Sequence, residues 1–313
     1  MRPLCYRRLL ALLAMLLPLP ILAAPTAYVS AWNTLYRLDL ATAQATRIGT
    51  GIGFNDVEGL AFAPDGTLYG VADGTIGNGS ALTDFLIRID TNSGVGTLIG
   101  PLQGLAGEGP SGQLDYGLSF SCDGRLWASS DTTGRFWEIN PHDGQVTEIG
   151  NTGAPLSDIT TIGKQMYGIG VRTGFGDPAQ QALYRVDPVT ATAVRIGSLG
   201  VADNLSSAGM DFDANGTLWA TLDSQPPDYD RASRLARINP VTGQATVVGS
   251  ITGITDNLSV RALAITTPGP CTGVDVPKPA ALVQRVPSLN LPGLLLLGLL
   301  ALGIGGLRLR SLH

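Results

Sequence analysis

The sequence is poor in the side chains on which most enzymes rely. Its 313 residues include two histidines, three cysteines and two lysines, and charged residues make up only 14%. His313 is the last residue and His142 falls in a predicted tight turn, so neither is placed to act as the base of a Ser-His-Asp or Cys-His triad. No G-x-S-x-G elbow or phosphate-binding loop with its lysine occurs. The enzymes left open use carboxylates, in metal-assisted hydrolysis or in paired Asp/Glu acid–base chemistry.

Positive charge is also scarce. The chain has 20 Lys and Arg against 25 Asp and Glu, a formal net charge of −5. An acidic chain lacks the basic surface that binds phosphate backbones, so the sequence predicts no nucleic-acid partner. The 41 glycines, 20 prolines and 44% of apolar residues are typical of a turn-rich β protein.

One 15-residue pattern recurs through the chain. Residues 183–197 read L-Y-R-V-D-P-V-T-A-T-A-V-R-I-G, and related segments begin at Leu35, Leu86, Phe136 and Leu235, at intervals of 47 to 52 residues. A period of this size indicates stacked supersecondary units. Each unit also contains a second pair of short apolar runs around a D-G or N-G turn, as in G-L-A-F-A-P-D-G-T-L-Y-G from Gly59. Four short antiparallel strands per unit predict a β-propeller blade.

The ends of the array predict how the ring closes. The last unit stops after one strand at residues 261–265, and the first strand, at residues 27–31, lacks a partner. We therefore predict an all-β, five-bladed propeller over residues 26–267, in which the N-terminal strand completes the last blade. One aromatic position recurs in every blade and is predicted to form core between blades: Tyr28, Tyr69, Trp127, Tyr167 and Trp219.

The innermost strands are predicted to begin at one mouth of the central channel. That register gives a set of candidate ligand-binding residues: Asp56, Glu58, Asp115, Tyr116, Asp158 and Arg261. Several carboxylates around one opening fit Ca²⁺, with Glu58 and Asp158 as candidate metal ligands. Arg261 favours instead an internal ion pair or recognition of an anionic group. A solvated acidic rim with some charge pairing is the third interpretation.

The long segments at residues 74–84, 101–114, 172–181 and 223–233 are predicted on that same face. Because function concentrates on long loops over a rigid scaffold, the sequence favours a non-catalytic module that binds a glycan, polymer or protein there. The alternative is a metal-assisted lactonase or hydrolase at the channel mouth. A structural component of an extracellular matrix is a further hypothesis. No cofactor is predicted apart from possible Ca²⁺.

The two ends of the chain carry export signals. Arg2, Arg7 and Arg8 precede an apolar run at residues 9–22 and the pair Ala23-Ala24, a layout that predicts a signal peptide over residues 1–25. A Pro- and Gly-rich linker over residues 268–285 leads to a C-terminal segment, residues 286–313, with an apolar stretch at residues 291–307. In an exported chain Cys122 and Cys271 can form a disulfide.

The C-terminal segment resembles the IPTL-type relatives of the PEP-type protein-sorting domains of Gram-negative bacteria. The match is V-P-S-L at residues 286–289, then the apolar stretch, then Arg308 and Arg310. It departs from that motif where Val286 and Ser288 replace its Ile and Thr, and a plain membrane anchor is the alternative. The resemblance implies the export machinery and a sorting protease as partners, transient membrane anchoring through the C-terminal helix, and a final place at the cell surface or outside the cell. The repeat itself is similar to secreted bacterial repeats of the form L-Y-x-I-D-x-x-T-G-x-A-T-x-I-G, which implies the fold and no activity.

Overall fold

A computed structural model describes residues 25–73, 84–103, 105, 115–171, 178–224, 232–254 and 259–266. These residues form five antiparallel sheets of four strands each, and the predicted five-bladed propeller is confirmed. In chain order, the strands are β1 Ala27–Ala31, β2 Thr34–Asp39, β3 Gln44–Ile48, β4 Val57–Phe62, β5 Leu68–Ala72, β6 Phe85–Ile89, β7 Gly96–Pro101, β8 Tyr116–Phe120, β9 Leu126–Ser130, β10 Arg135–Ile139, β11 Val146–Asn151, β12 Leu156–Ile162, β13 Gln165–Gly170, β14 Ala182–Asp187, β15 Thr192–Ser198, β16 Leu205–Phe212, β17 Leu218–Ser224, β18 Arg234–Ile238, β19 Ala245–Ser250 and β20 Ala262–Ile265.

The ring closes through the first and last strands, as predicted. The closing blade has the strand order β20-β1-β2-β3, and Tyr28 pairs with Ala264 across it. The inner strands β4, β8, β12, β16 and β20 each pack against the next around the ring, and β20 packs against β4. Tying the N-terminal strand into the C-terminal blade leaves no blade open at the inner edge.

Small residues let the inner strands approach closely. A Cβ added at Gly117 in β8 would lie 2.4 Å from the Cα of Asp158 in β12. A Cβ at Gly209 in β16 would lie 2.5 Å from the backbone nitrogen of Leu263 in β20. These are the first glycines of the repeated G-[LM]-x-F segments, so the repeat requires glycine because neighbouring backbones occupy the place of a side chain.

The recurring aromatic residues pack between blades, as predicted. Each is at most 9% exposed. Tyr28 makes an edge contact with Phe62 of the next blade, with ring centroids 5.7 Å apart, and Tyr69 and Tyr167 make equivalent contacts with Phe120 and Phe212. Such aromatic pairs add about 0.5–1.5 kcal/mol each beyond the burial of their area.

The fixed Asp or Asn of the 15-residue pattern shapes the turn between the third and fourth strands. Asp39 Oδ1 accepts hydrogen bonds from the N–H groups of Ala41 and Thr42, at 2.8 and 3.0 Å. Asn239 Oδ1 does the same for Val241 and Thr242. These Asx turns end the third strand and begin the fourth, so the repeated residue is a turn former and not a ligand.

The predicted signal peptide, linker and C-terminal segment lie outside the described residues. Among the described residues no helix has the length and apolarity needed to cross a membrane. Cys122 is disulfide-bonded. Cys271 lies outside the described residues, so its pairing with Cys122 stays a prediction.

Candidate functional site: the acidic mouth of the channel

Charged residues collect where the inner strands begin and the second strands end. Antiparallel pairing brings these two kinds of strand terminus to the same face of each blade. Six residues there form what we call the mouth cluster. They are Asp56 before β4, Glu58 within it, Asp73 after β5, Asp115 before β8, Asp131 after β9 and Arg261 before β20.

Arg261 joins three blades at the mouth. Its guanidinium lies 3.3 Å from Glu58 Oε1, 3.2 Å from Asp115 Oδ1 and 3.4 Å from Asp56 Oδ2. Burial opposes the charge of Arg261, but these carboxylates outweigh it and raise the pKa of the guanidinium. The sequence placed Glu58, Asp56, Asp115 and Arg261 together, and the structure brings these four residues into contact.

Glu58 is a buried carboxylate of the cluster, only 5% exposed. It lies in a β-bulge, where the pairing of β4 with β5 shifts between Val57 and Gly59, and bulges often re-aim a side chain beside a functional site. Its Oε2 accepts a hydrogen bond from the N–H of Tyr116, at 3.2 Å. Burial and then the neighbouring Asp115 raise the pKa of Glu58 well above its usual range.

Asp56 and Asp73 face each other across β4 and β5, one residue beyond the pair Val57–Ala72. One carboxylate oxygen from each of Asp56, Glu58 and Asp73 lies within 4.8 Å of the other two. Among the residues that the structure describes, the buried Oδ1 atoms of Asp56 and Asp73 have no hydrogen-bond partner. Burial raises the pKa of Asp56 against the pull of Arg261. Burial, followed by the charges of Asp84 and Asp56, raises the pKa of Asp73 to about 8.

Asp158, the other predicted metal candidate, lies apart from this group. Its strand β12 packs between β8 and β16, whereas β4 packs between β20 and β8. The oxygens of Asp158 accept hydrogen bonds from the N–H groups of Leu118, Ile159 and Met210, at 3.2, 2.8 and 2.7 Å. The structure therefore does not pair Glu58 with Asp158, and Asp158 serves to join three inner strands.

Tyr116 also has a structural role. It is 2% exposed, and its hydroxyl donates to Asp84 Oδ2 at 2.6 Å. Its ring makes an edge contact with Trp137, with centroids 6.1 Å apart. The phenol supports Asp84 at the start of β6, and it is the backbone N–H of Tyr116 that reaches the mouth cluster.

Asp73 and Asp131 are site residues that the sequence analysis did not select. Each lies four residues after the recurring aromatic residue of its blade, in L-Y-G-V-A-D and L-W-A-S-S-D. Asp223 lies at the same position in L-W-A-T-L-D. The period would have revealed this position. In the closing blade the same position holds Trp32.

Trp32 is the exposed aromatic of this face among the residues that the structure describes. Its side chain is 46% exposed and its backbone is left-handed, with φ 54°. The carbonyl of Trp32 accepts a hydrogen bond from the N–H of Val57 at 2.9 Å, so the backbone of Trp32 lies against the residue between Asp56 and Glu58. Asp56 is also left-handed, with φ 35°. Two neighbouring non-glycine residues in this region store backbone strain, which is concentrated at functional sites.

The opposite, tight-turn face has grooves between blades but few unsatisfied groups. Two of them, each with a volume of about 490 Å³, are lined in part by Trp219 and by Trp127. Arg237 and Arg125 already cover these two rings, at 4.7 and 4.2 Å from the centroids. Repeat packing accounts for these grooves, so the mouth cluster is the stronger candidate site.

Comparisons with known proteins reach no further than the fold. No protein-family model matches the chain, and no curated protein matches it. A chain in the crystal structure of a nidogen/laminin complex is similar at 13% sequence identity, with a TM-score of 0.46, over 78% of this chain and 98% of the other.

Proposed function

We propose that this protein is an exported, surface-sorted propeller that binds its ligand non-catalytically on the mouth face. The observation that carries the proposal is Trp32, whose indole is exposed and whose left-handed backbone is hydrogen-bonded to Val57, between Asp56 and Glu58. Trp contributes large contact area at little cost in side-chain entropy and is enriched among the residues that dominate binding energy.

A glycan is the ligand class that these groups fit best. An indole face packs against the C–H face of a sugar ring, while an accessible carboxylate such as that of Asp115 accepts hydrogen bonds from its hydroxyls. Asp115 is the most accessible carboxylate paired with Arg261, with 43% of its side chain exposed. The mouth thus combines an apolar platform with polar groups that fix orientation, as binding sites do.

The ion pairs at the mouth support binding over catalysis. Arg261 already pairs with Glu58, Asp115 and Asp56, and a network of this kind holds side chains in place. His142, one of the two histidines, lies in the turn after β10, on the other face. A rigid, preorganised surface is what a binding module needs, because less side-chain freedom is lost on association.

Export and sorting rest on the two chain ends. The basic, apolar and small-residue order of the N-terminus and the V-P-S-L segment with its apolar stretch support a secreted protein that is anchored and then processed. Fractionation of cells that express the chain tests this part. Mass spectrometry should find a mature N-terminus between residues 23 and 27 and, after sorting, a C-terminus near residue 286.

A glycan-array screen of the full chain, purified after export, tests the binding function. Trp32→Ala should abolish the signal, and Trp32→Phe should retain part of it because a ring remains. Val189→Ser is the matched control, since Val189 is 77% exposed but lies in the turn after β14 on the opposite face. Binding that survives Trp32→Ala would contradict the proposal, and binding only to immobilised proteins would replace the glycan with a protein ligand.

A metal-assisted lactonase or hydrolase is the second candidate. The convergence of Asp56, Glu58 and Asp73 favours it, since three carboxylates can hold a metal that polarises a carbonyl. Turnover of lactone or phosphoester substrates with added Ca²⁺, lost in Glu58→Gln, would establish it. Equal turnover by the two proteins would exclude this site as the catalyst.

A further inference from the structure

Arg261 forms ion pairs with only two of the three carboxylates in the Asp56–Glu58–Asp73 group. Arg261 contacts Asp56, Glu58 and Asp115, and it makes no ion pair of 4 Å or less with Asp73. The charges that act on Asp73 are the carboxylates of Asp84, Asp56 and Asp115, which repel it, and Arg261, which attracts it. Carboxylates directly opposite each other on paired strands destabilise a sheet unless something offsets their repulsion.

Unsatisfied oxygens give an independent indication that a ligand belongs here. Within the described part of the chain, the Oδ1 atoms of Asp56 and Asp73 and the Oδ2 atom of Asp131 are buried without a hydrogen-bond partner. Asp131 is only 1% exposed, and its carboxyl interacts electrostatically with Asp115 and Arg261 of the mouth cluster. A buried carboxylate oxygen without a partner costs a few kcal/mol, and native proteins rarely leave several together.

We propose that Asp56, Glu58 and Asp73 bind a divalent cation of the hard, oxygen-preferring class, Ca²⁺. One oxygen from each carboxylate lies within 4.8 Å of the others, which is the spacing of oxygens that share one ion with bonds of about 2.3–2.6 Å. The ion supplies the partner that the Oδ1 atoms of Asp56 and Asp73 lack.

The chemistry of the ligands selects the metal. All three are carboxylates, and soft metals and zinc prefer sulfur and imidazole. Ca²⁺ accepts an irregular set of 6–8 oxygens and takes water in the remaining positions, whereas Mg²⁺ requires a near-ideal octahedron. Asp56 and Glu58 come from a bulged strand with a left-handed residue, and such an irregular backbone suits the more tolerant ion.

The site is anchored by the fold and does not depend on the proposed glycan. Val57, between two of the ligands, is fully buried and donates its N–H to Trp32. Asp73 is fixed by its own N–H, which donates to the carbonyl of Asn55 at 3.1 Å. The cation would therefore sit on the same backbone that holds the indole, and it can be tested with the metal alone.

Calorimetric titration of the chelator-treated full chain with CaCl₂ tests the proposal. We expect one site per chain, with a dissociation constant of about 10⁻⁴–10⁻³ M or tighter, the range of extracellular calcium modules. Asp73→Asn and Glu58→Gln should each raise the dissociation constant at least about 10-fold. Even the loss of a residue that only orients a metal ligand weakens metal binding by about that much. Asp65→Asn is the control, because it removes one negative charge from an exposed turn of the same blade on the opposite face and should change affinity by less than about threefold.

Three results would overturn the proposal. The first is a folded wild-type chain, verified by circular dichroism, that binds no Ca²⁺ at millimolar concentration. The second is an equal loss in all three variants, which would show that Ca²⁺ responds to the overall charge and not to one site. The third is a thermal stabilisation by Mg²⁺ as large as that by Ca²⁺. If one ligand variant fails to fold, the other still decides, because each removes one of three proposed ligands.

Discussion

The inter-blade carboxylates and the mouth cluster use one residue type in opposite ways. Both oxygens of Asp158 accept backbone N–H groups, from three inner strands in all. Asp211, nearer the tight-turn face, accepts the N–H groups of Phe212 and Ile265 and the hydroxyl of Thr160. At the mouth, Asp56 and Asp73 each keep a buried oxygen that has no partner in the described part of the chain.

The difference separates stability from function. Burial raises the pKa of carboxyls in both regions, so burial alone does not distinguish them. What differs is whether the protein itself supplies donors that offset the cost of burial. The inter-blade carboxylates are satisfied and hold the ring together, whereas the described residues supply no donor to one oxygen of Asp56 and one of Asp73.

The largest expected effect is that of Asp158→Ala. The change leaves buried N–H groups in β8, β12 and β16 without acceptors, at about 1–3 kcal/mol each, so we expect the free energy of unfolding to fall by about 3 kcal/mol or more. Urea denaturation of the two proteins measures it. Asp158→Asn, which keeps one carbonyl oxygen, should lose less. A fall below about 1 kcal/mol in Asp158→Ala would show that the N–H groups find other partners and would remove the proposed contrast.

Asp73→Asn should instead raise the free energy of unfolding. With Ca²⁺ removed by a chelator, neutralising Asp73 relieves its repulsion from Asp84 and Asp56. We expect the free energy of unfolding to rise by about 1 kcal/mol at pH 8. The change is small because the side chain is partly solvated. Asp65→Ala is the control within the same blade, since Asp65 Oδ1 accepts the N–H of Thr67 in an exposed turn and the loss of this acceptor should destabilise. Destabilisation by both variants would show that Asp73 has a partner in solution.

The pH dependence of stability tests the raised pKa of Asp73. The pKa of Asp73 rises from 3.8 to about 8 on folding, so between these pH values the folded state keeps a proton that the unfolded state has lost. The wild-type stability should therefore decrease as the pH rises from about 4 to 8. The decrease should be shallower in Asp73→Asn, and the other carboxyls whose pKa values are raised by burial, such as those of Glu58, Asp131, Asp158 and Asp211, account for the slope that remains. Parallel pH profiles of the two proteins, measured by urea denaturation without metal, would contradict this assignment.

The repeat made the fold predictable from the sequence, since its period, its D-G turns and the unpaired strand at residues 27–31 define five blades and their closure. The period also placed Glu58 and Arg261 at equivalent positions of adjacent inner strands, where they meet. It placed Asp158 at the same position too, but ring order separates that residue from Glu58 by a whole blade. Register gives the height of a residue in the channel, and only the closed ring gives its neighbours.

The sequence could not predict which carboxylates find hydrogen-bond donors in the folded protein. Asp73, Asp131 and Asp223 occupy one position of the repeat, yet Asp223 accepts the hydroxyls of Ser206, Ser233 and Ser259. Those serines come from separate segments whose approach depends on the fold. Trp32 was missed for a similar reason, because its exposure results from a left-handed turn that the residue type disfavours.

The smallest expected effect tests whether Trp32 is kept for binding. A left-handed conformation costs a bulky residue about 1–2 kcal/mol, and Asn tolerates it better than most residues. Trp32→Asn should therefore match the wild-type stability, whereas Trp32→Val, similar in lost contacts but β-branched, should be about 1 kcal/mol less stable than Trp32→Asn. Both variants should lose ligand binding. If Trp32→Asn were much less stable than the wild type, the indole would contribute to packing. The hypothesis that the mouth keeps Trp32 for ligand binding at a cost in stability would then be wrong.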